Sequence, residues 1–451
     1  MKQDFLHYMQ ETFDFTQSEM TEFSCALSTP LKKSLRVNTN KISIEDFKKL
    51  AEKNNFTLTP TSLGKNTFYI DRDDTTLPLG HTLEHINGYF YVQELAASSS
   101  PYYMSWDKID RGEYTILDMS ASPGGKTTQL AEYYPNALIV ANEIDKMRMK
   151  QLFENLDRMS AKNVLVTNYD GRFLKNFGEV FDKVLLDAPC SGEGTAYKTE
   201  DALRYWNLKN IKRVAKLQYQ LLESAITSTK EWGEIVYSTC TLNKLENEEV
   251  IEKIIEKYGD FIEIVPLKKE NTLQTHIRNW PHIDKTWGFF ITKLRKKKSL
   301  WERESPALVR QGFEKLSAND ERLVQDFLDK TFWLSLSGKY YTYRNEVYYL
   351  EKNIDFFWDV AFLFKTGIKI GTLENWAFEP NFTLGISFWI FKKNTIEVSK
   401  DELHSFLKGE EKDIKKDDGY YQIVYENEIA GIIKVKNASG KILLDNKSLR
   451  K

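Results

Sequence analysis

The middle of the chain alternates short, nearly continuous apolar runs with amphipathic stretches. The runs are TILDM (115–119), ALIVAN (137–142), NVLVTN (163–168), KVLLDAP (183–189) and EIVYSTC (234–240), and most are separated by helical segments such as DKMRMKQLFENLDRM and IKRVAKLQYQLLESAITS. A strand that is apolar along its whole length is buried on both faces, so the pattern predicts an α/β core with a parallel sheet between two layers of helices. In such sheets ligands bind beyond the carboxyl ends of the strands, and functional residues are expected there. The run WGFFITKLRKKK predicts a late strand whose basic second half starts a linker.

The flanks have a different pattern. Residues 1–34 read as helical and amphipathic, with Phe5, Met9, Phe13 and Phe15 near one face and Pro30 closing the segment. From Leu35 to Gly88 the β-rich pieces SLRVNT, FTLTP and TFYI surround one charged helix, IEDFKKLAEKNN, which predicts a small α+β module. Beyond Ser299 come a charged helical stretch near 316–330 and the aromatic pieces FWLSL, YYTYR and VYYL. Short strands follow from residue 369 onward, with a turn at Asn437-Ala438-Ser439-Gly440 and breaks at Gly371, Gly409 and Gly431. One or two small β-rich domains are expected.

With 451 residues, 41% hydrophobic and 13% aromatic, the chain has enough apolar material for about two to four packed domains and is not disordered. The start, MKQDFLHYMQETFDF, lacks a basic stretch leading into an apolar run, and no apolar run elsewhere is long enough to span a bilayer, so a cytoplasmic location without membrane association is expected. Cys25, Cys190 and Cys240 are too few for a disulfide framework, and six scattered histidines show no paired metal-ligand spacing; neither structural disulfides nor a metal is expected. A net charge of −2 gives no global sign of nucleic acid, so any footprint has to be local. Two basic stretches qualify: Lys293 to Lys298, and a tail with Lys434, Lys436, Lys441, Lys447, Arg450 and Lys451 against Asp445. Each reads equally well as a solvated linker or tail.

Candidate chemistry lies at the ends of the core strands. Asp118-Met119-Ser120-Ala121-Ser122-Pro123-Gly124-Gly125-Lys126-Thr127 follows the first strand and opens a helix. Glycines at such a turn let the backbone approach a ligand, and the helix N-terminus favours negative charge such as a carboxylate. A dinucleotide fingerprint needs G-x-G-x-x-G, and a phosphate-binding P-loop needs glycine at position 120; neither requirement is met. The second strand ends at Glu143, 25 residues after Asp118, near the spacing at which an acid reaches ribose hydroxyls. The third ends at Asp170, whose carboxylate suits an adenine amino group. Together these predict an adenosine-bearing cofactor. The fourth and fifth strands end in DAPCSGEGT and YSTCT, which bring Asp187, Cys190 and Cys240 to the same rim. A lone cysteine is usually a small core hydrophobe, but two at one ligand rim point to thiol chemistry.

These segments resemble the Nol/Nop/Sun family of RNA cytosine-5 methyltransferases, and more closely its bacterial 16S ribosomal RNA branch. DMSASPGGKTTQLA is similar to the cofactor loop, ANE to the ribose acid, NYDG to the adenine-side acid, DAPCSGEGT to the Pro-Cys motif and YSTCTLNKLENEEV to the nucleophile motif. SLRVNTNK, INGYFYVQELAASSSP and RNWPHIDKTWGFF resemble the N-terminal module, its junction and the last core motif; GTLENWAFEPNFTLGIS and FLKGEEKD to KSLRK resemble a PUA-type extension. The resemblance implies a Rossmann-like class I methyltransferase core, an N-terminal α+β module and C-terminal PUA-like β-rich RNA-binding domains. It implies S-adenosylmethionine as cofactor, held by Ser120, Ala121, Ser122, Pro123, Gly124, Gly125, Lys126, Glu143, Asp170 and Asp187, with Cys240 as nucleophile and Cys190 as release cysteine. Asp187 is expected to serve ring nitrogen 3 of the base as well. Ser120 and Ser122 depart from the cysteine and alanine usual in the family's loop; both are small enough for the turn, and the missing cysteine removes any redox role there.

The chemistry explains the cysteines. Carbon 5 of cytosine is too weak a nucleophile to take a methyl group, and a thiolate added at carbon 6 makes it enamine-like. The carbon 5 proton must then leave before the thiolate is expelled, which calls for a base or a second thiol. The expected organisation is 1–90 for the N-terminal module, 91–298 for the core, 299–370 for a linker and first C-terminal region, and 371–451 for the PUA-like domain. Ribosomal RNA, in the small subunit, is the expected partner of a monomeric enzyme. The same chemistry on transfer RNA, a nucleotide hydrolase built on Lys126 and Thr127, and a non-catalytic RNA-binding scaffold stay open as alternatives.

Overall fold

The computed structural model describes residues 3–72, 78–106, 109–196, 203, 206–300, 312–388, 393–426 and 428–443. At its centre five parallel strands lie in the spatial order Thr229–Thr239, Phe181–Asp187, Thr115–Asp118, Leu138–Asn142 and Val164–Thr167. Leu117, Val140, Leu165, Val184, Leu185 and Ile235 are wholly buried, because helices cover both faces of the sheet. The long amphipathic helix Leu208–Ser228 covers one face with Ala215, Leu221, Leu222, Ala225 and Ile226. Helix Lys146–Arg158, capped by the Asp145 carboxylate on Met147 N and Arg148 N, covers the other with Met149, Leu152 and Leu156.

Antiparallel strands extend this sheet on both sides. Phe289–Lys296 pairs with Thr229–Thr239, and Leu363–Thr366, from far along the chain, pairs with Val164–Thr167. As far as Lys296 the basic run is therefore neither a linker nor a solvated patch, because the strand continues to that residue; Lys298 beyond it is exposed. Lys293 is buried against Glu234 at 3.0 Å, Lys296 is buried against Glu179 at 2.6 Å, and Arg295 reaches Glu234 and Glu263. Pairing with acids on neighbouring segments is what allows these ammonium groups inside.

The N-terminal segment forms two helices, Gln3–Phe13 and Gln17–Ala26, whose Phe5, Met9, Met20 and Phe23 pack with Trp206, Ile211 and Leu242. The four-stranded antiparallel sheet that follows, ordered Phe56–Pro60, Thr67–Arg72, Ser34–Val37 and Phe90–Val92, carries helix Ile44–Lys53. It is fixed to the core through a buried ion pair between Arg36 and Glu132, with Thr39 Oγ1 and Asn66 Nδ2 donating to the same carboxylate.

Two five-stranded sheets follow the core. YYTYR and VYYL lie in the hairpin Lys339–Tyr343 and Glu346–Leu350, whereas FWLSL is not a strand: Phe332 ends helix Ala318–Phe332 and Trp333, in the left-handed region, turns the chain away. The second sheet contains Gly419–Tyr425, Glu428–Lys436 and Ser439–Ile442, and helix Phe382–Ser387 joins the two through Phe382, Leu384 and Ile386. Lys434 is paired with Glu379 and Lys441 with Glu411; Asp445, Lys447, Arg450 and Lys451 lie outside the described residues. No helix among the described residues is long and apolar enough to cross a membrane.

Candidate functional site

The five parallel strands deliver their chemistry to one rim. Across the sheet the strand ends lead in order to Cys240, to Asp187 and Cys190, to the loop after Asp118, to Glu143 and to Asp170. All the residues expected from the sequence are thus on this rim, while Cys25 lies exposed on helix Gln17–Ala26.

At one end of the rim the two cysteines meet. Cys190 Sγ and Cys240 Sγ are 3.2 Å apart, and both are free thiols. The registered pair Asp187 and Ser238 places the two loops side by side, and Ala188 N donates to Ser238 O while Gly194 N donates to Cys240 O. Asp187 takes a hydrogen bond from Ser238 Oγ at 2.9 Å and an ion pair from Lys126 Nζ at 2.8 Å. Burial pulls the Lys126 ammonium toward neutrality, but Asp187, Cys240 and Asp118 more than offset it and leave its pKa above the usual lysine value. The Cys190 thiol is raised well above its ordinary value, chiefly by its hydrogen bond with Cys240 and then by burial, with Glu246 and Asp187 adding repulsion.

Two buried acids that sequence reasoning left unassigned hold these loops. Glu193 accepts from Leu242 N, Asn243 N and Asn243 Nδ2 through one oxygen, and from Ser191 Oγ and Trp206 Nε1 through the other. Glu246 accepts from Ser191 N, Gln218 Nε2 and Asn243 Nδ2. Each acid belongs to one cysteine's motif and binds the other's. The signal available in the sequence was the glutamate in DAPCSGEGT and the first in LENEEV, each a few residues after a cysteine of the rim.

The other end of the rim is arranged to receive a ligand. Gly124 sits at φ +104°, a conformation that side chains other than glycine rarely adopt, and helix Gly125–Tyr133 starts immediately after it. Ser122 N donates to Glu143 Oε2 at 3.3 Å and Asp145 N to Oε1 at 2.9 Å, so the loop and the second strand's acid are joined. Ser122 Oγ donates to Arg148 O, and a cis bond precedes Pro123. Asp170 is held by Arg172, which sits 2.5 Å away and keeps its carboxyl below the usual range through hydrogen bonding. Asp118 takes a bond from Thr127 Oγ1 on one oxygen, and its other oxygen is buried without a hydrogen-bond partner. Burial, opposed by Thr127 and Lys126, raises this carboxyl to about 7.

The donor set decides between ligand classes. Four carboxylates, Asp118, Glu143, Asp170 and Asp187, line the rim, and the cations beside them are already paired: Lys126 with Asp187, Arg172 with Asp170 and Arg148 with Glu143. A polyphosphate would meet like charge here. S-adenosylmethionine, with hydroxyls, amino groups and a positive sulfonium, fits a row of acceptors that includes an orphaned carboxylate oxygen at Asp118.

Comparison with known proteins agrees. A family model described as 16S rRNA methyltransferase RsmB/F matches residues 108–295, and one for the N-terminal domain of 16S rRNA methyltransferase RsmF matches residues 1–95. Ribosomal RNA small subunit methyltransferase F of Vibrio parahaemolyticus is 32% identical over 468 aligned residues, covering 95% of each chain. That of Shewanella oneidensis is 34% identical over 86% of this chain and 84% of its own. The chain belongs to the RsmF family of 16S rRNA methyltransferases. The RsmF protein of Erwinia tasmaniensis is 41% identical, over 69% of this chain and 65% of its own length, just under two thirds. Among solved structures, a methyltransferase homologue from Pyrococcus horikoshii superposes with a TM-score of 0.55 at 30% identity, over 66% of this chain and 100% of that one. NSun6 from the same organism, solved with SFG, an S-adenosylmethionine analogue, gives 0.57 at 26% over 66% and 99%. The RsmF-family chain is an S-adenosylmethionine-dependent rRNA methyltransferase.

Proposed function

We propose that this RsmF-family enzyme methylates carbon 5 of a cytosine in 16S rRNA through a covalent adduct on Cys240, with Cys190 removing the carbon 5 proton. The observation that carries the reading is the 3.2 Å approach of the two thiol sulfurs beside the Lys126–Asp187 ion pair. A single thiol at a rim needs no second; two in contact fit a reaction with one addition and one deprotonation.

Cys240 adds through sulfur to carbon 6 of a base taken out of its stack, and the electron pair moves toward carbon 5. The Lys126 ammonium lies close enough to the Cys240 sulfur to interact with it. Ring nitrogen 3 of cytosine carries no proton of its own, so the negative charge that develops there as the thiolate adds is met by a proton passed from the Lys126–Asp187 pair and returned to it when the thiolate leaves, with Ser238 Oγ holding the carboxyl in place. Bound at Ser120 to Lys126, Glu143, Asp170 and Asp187, S-adenosylmethionine supplies an electrophilic methyl group. Cys190, its sulfur beside that of Cys240, takes the carbon 5 proton as a thiolate after passing its own proton to solvent, and the electron pair of the broken C–H bond re-forms the carbon 5–carbon 6 double bond and expels the Cys240 thiolate.

The test uses purified protein, methyl-labelled S-adenosylmethionine and unmodified small subunits or naked 16S rRNA. Wild type is expected to leave label as 5-methylcytosine, Cys240→Ala to leave none, and Cys190→Ala to accumulate an RNA–protein band that survives denaturing electrophoresis. Label from Cys240→Ala at the wild-type rate sinks the mechanism; label found on transfer RNA alone moves the substrate.

A further inference from the structure

Far from the cysteines, two hairpins of the first C-terminal sheet end in turns of the same kind. Tyr343 pairs with Glu346 around Arg344 and Asn345, and Glu374 pairs with Ala377 around Asn375 and Trp376. All four central residues have positive φ: 49° and 67° in the first turn, 48° and 62° in the second. This is the signature of the type I′ turn, whose favoured sequence is Asn-Gly because the second position is left-handed. Trp376 occupies that second position. A bulky ring is disfavoured there, and it is 91% exposed, so neither the turn nor the core accounts for it.

The two turns are neighbours, since Leu373 N donates to Asn345 O at 2.7 Å. Arg344 is exposed, its guanidinium 5.2 Å from the Tyr343 ring centre. Tyr343 and Phe362 both lie close to Gly312, where an added Cβ would meet them at 3.5 and 3.3 Å, and Phe362 N donates to the hydroxyl of Tyr169, the residue before Asp170.

We propose that Trp376, with Arg344 beside it, is a stacking platform for an unpaired base of the RNA substrate. The inference rests on the reading that the substrate is RNA, and adds where the RNA is held outside the catalytic centre. Aromatic faces and guanidinium planes are the groups on which unstacked bases lie. The surroundings favour a base over a protein. A protein hot spot sits within a desolvated apolar patch, whereas this ring stands among Glu374, Asn375, Ala377, Arg344 and Asn345. Exposed Glu374 disfavours a phosphate against the ring and leaves stacking as the mode of contact.

Trp376→Gly is the informative variant, because it restores Asn-Gly and so improves the turn while removing the ring. Filter binding to naked 16S rRNA is expected to weaken by about 5- to 150-fold, with the melting temperature unchanged or higher; Trp376→Phe should keep most of the affinity. Ultraviolet crosslinking of the wild type to 16S rRNA should place a nucleotide on the peptide containing Trp376. Unchanged affinity of Trp376→Gly for naked rRNA overturns the proposal, and if affinity for assembled subunits alone falls, the ring meets a ribosomal protein instead. Binding is measured in the Cys240→Ala background as well. A Trp376 effect there stands even if no 5-methylcytosine is ever found, and 5-methylcytosine formed normally by a Trp376→Gly enzyme of full affinity sinks only the platform.

Discussion

The two ends of the rim are built differently. At the cysteine end, loops 50 residues apart are joined by buried acids that satisfy each other's backbone: Glu193 takes five donors and Glu246 three. At the cofactor end the contacts are local or sparse. Asp170 is held by Arg172 two residues on, Glu143 by Asp145 N and Ser122 N, and Asp118 keeps one buried oxygen without a partner. The difference fits the roles proposed for the two ends. A nucleophile must be held at a fixed distance from its partner thiol before the substrate arrives, whereas a cofactor that binds and leaves needs acceptors still available to it.

The largest effect is expected where that rigidity is removed. Glu193→Ala removes the carboxylate that Leu242 N, Asn243 N, Asn243 Nδ2, Ser191 Oγ and Trp206 Nε1 share, and a stability loss of about 3 kcal/mol or more is expected. Urea unfolding measures it, and methylation should fall further than the unfolded fraction explains because Cys190 and Cys240 lose their common frame. Glu193→Gln, which keeps the size and one acceptor oxygen, should recover part of both. If Glu193→Ala unfolds like wild type, the cysteine loops are held by something other than this clamp and the contrast between the two ends fails.

Asp170→Ala tests the other end and should invert the pattern. One charge-assisted hydrogen bond to the cofactor is worth about 1.5–3 kcal/mol, so S-adenosylmethionine should bind about 10- to 100-fold more weakly by titration calorimetry. Stability should change by about 1 kcal/mol at most, the loss of a capping side chain at Arg172 N. A variant that loses stability while keeping cofactor affinity would make Asp170 a structural residue and leave the adenine without its expected acceptor.

The same contrast explains what was legible in the sequence. The parallel core and its rim could be read because continuous apolar runs and strand-end motifs are local signals; every expected site residue, from Ser120 to Cys240, lies at that rim. The clamp was not legible as a clamp, since the partners of Glu193 are 49 and 50 residues away and nothing in DAPCSGEGT says that its glutamate points at another loop. The run from Lys293 to Lys298 misled for the same reason: Glu179 and Glu234, which bury Lys296 and Lys293, are more than fifty residues distant. Strand Leu363–Thr366 joins the central sheet from beyond the point where the core seemed to end, because edge pairing with Val164–Thr167 has no sequence signature of its own. His282 packs edge-on against Phe15 and Phe23, as histidines on apolar faces commonly do.

The last effect concerns the orphaned oxygen. Burial raises the Asp118 carboxyl to about 7, whereas in the unfolded chain it titrates near the ordinary aspartate value of about 3.9. Between these values the native state binds more protons than the unfolded state, so this group's contribution to stability falls as pH rises from about 4 to about 7 and is level above that. Asp118→Asn keeps an acceptor for Thr127 Oγ1 and removes the titration. Relative to wild type, the variant should therefore gain stability steadily across that window and no further beyond it, read as the difference between urea midpoints at pH 5, 6, 7 and 8 without cofactor. Parallel profiles across the four pH values would mean that the carboxylate is already ionised and solvated in the free enzyme, and the cofactor end of the rim would be wetter than its buried, unpartnered oxygen implies.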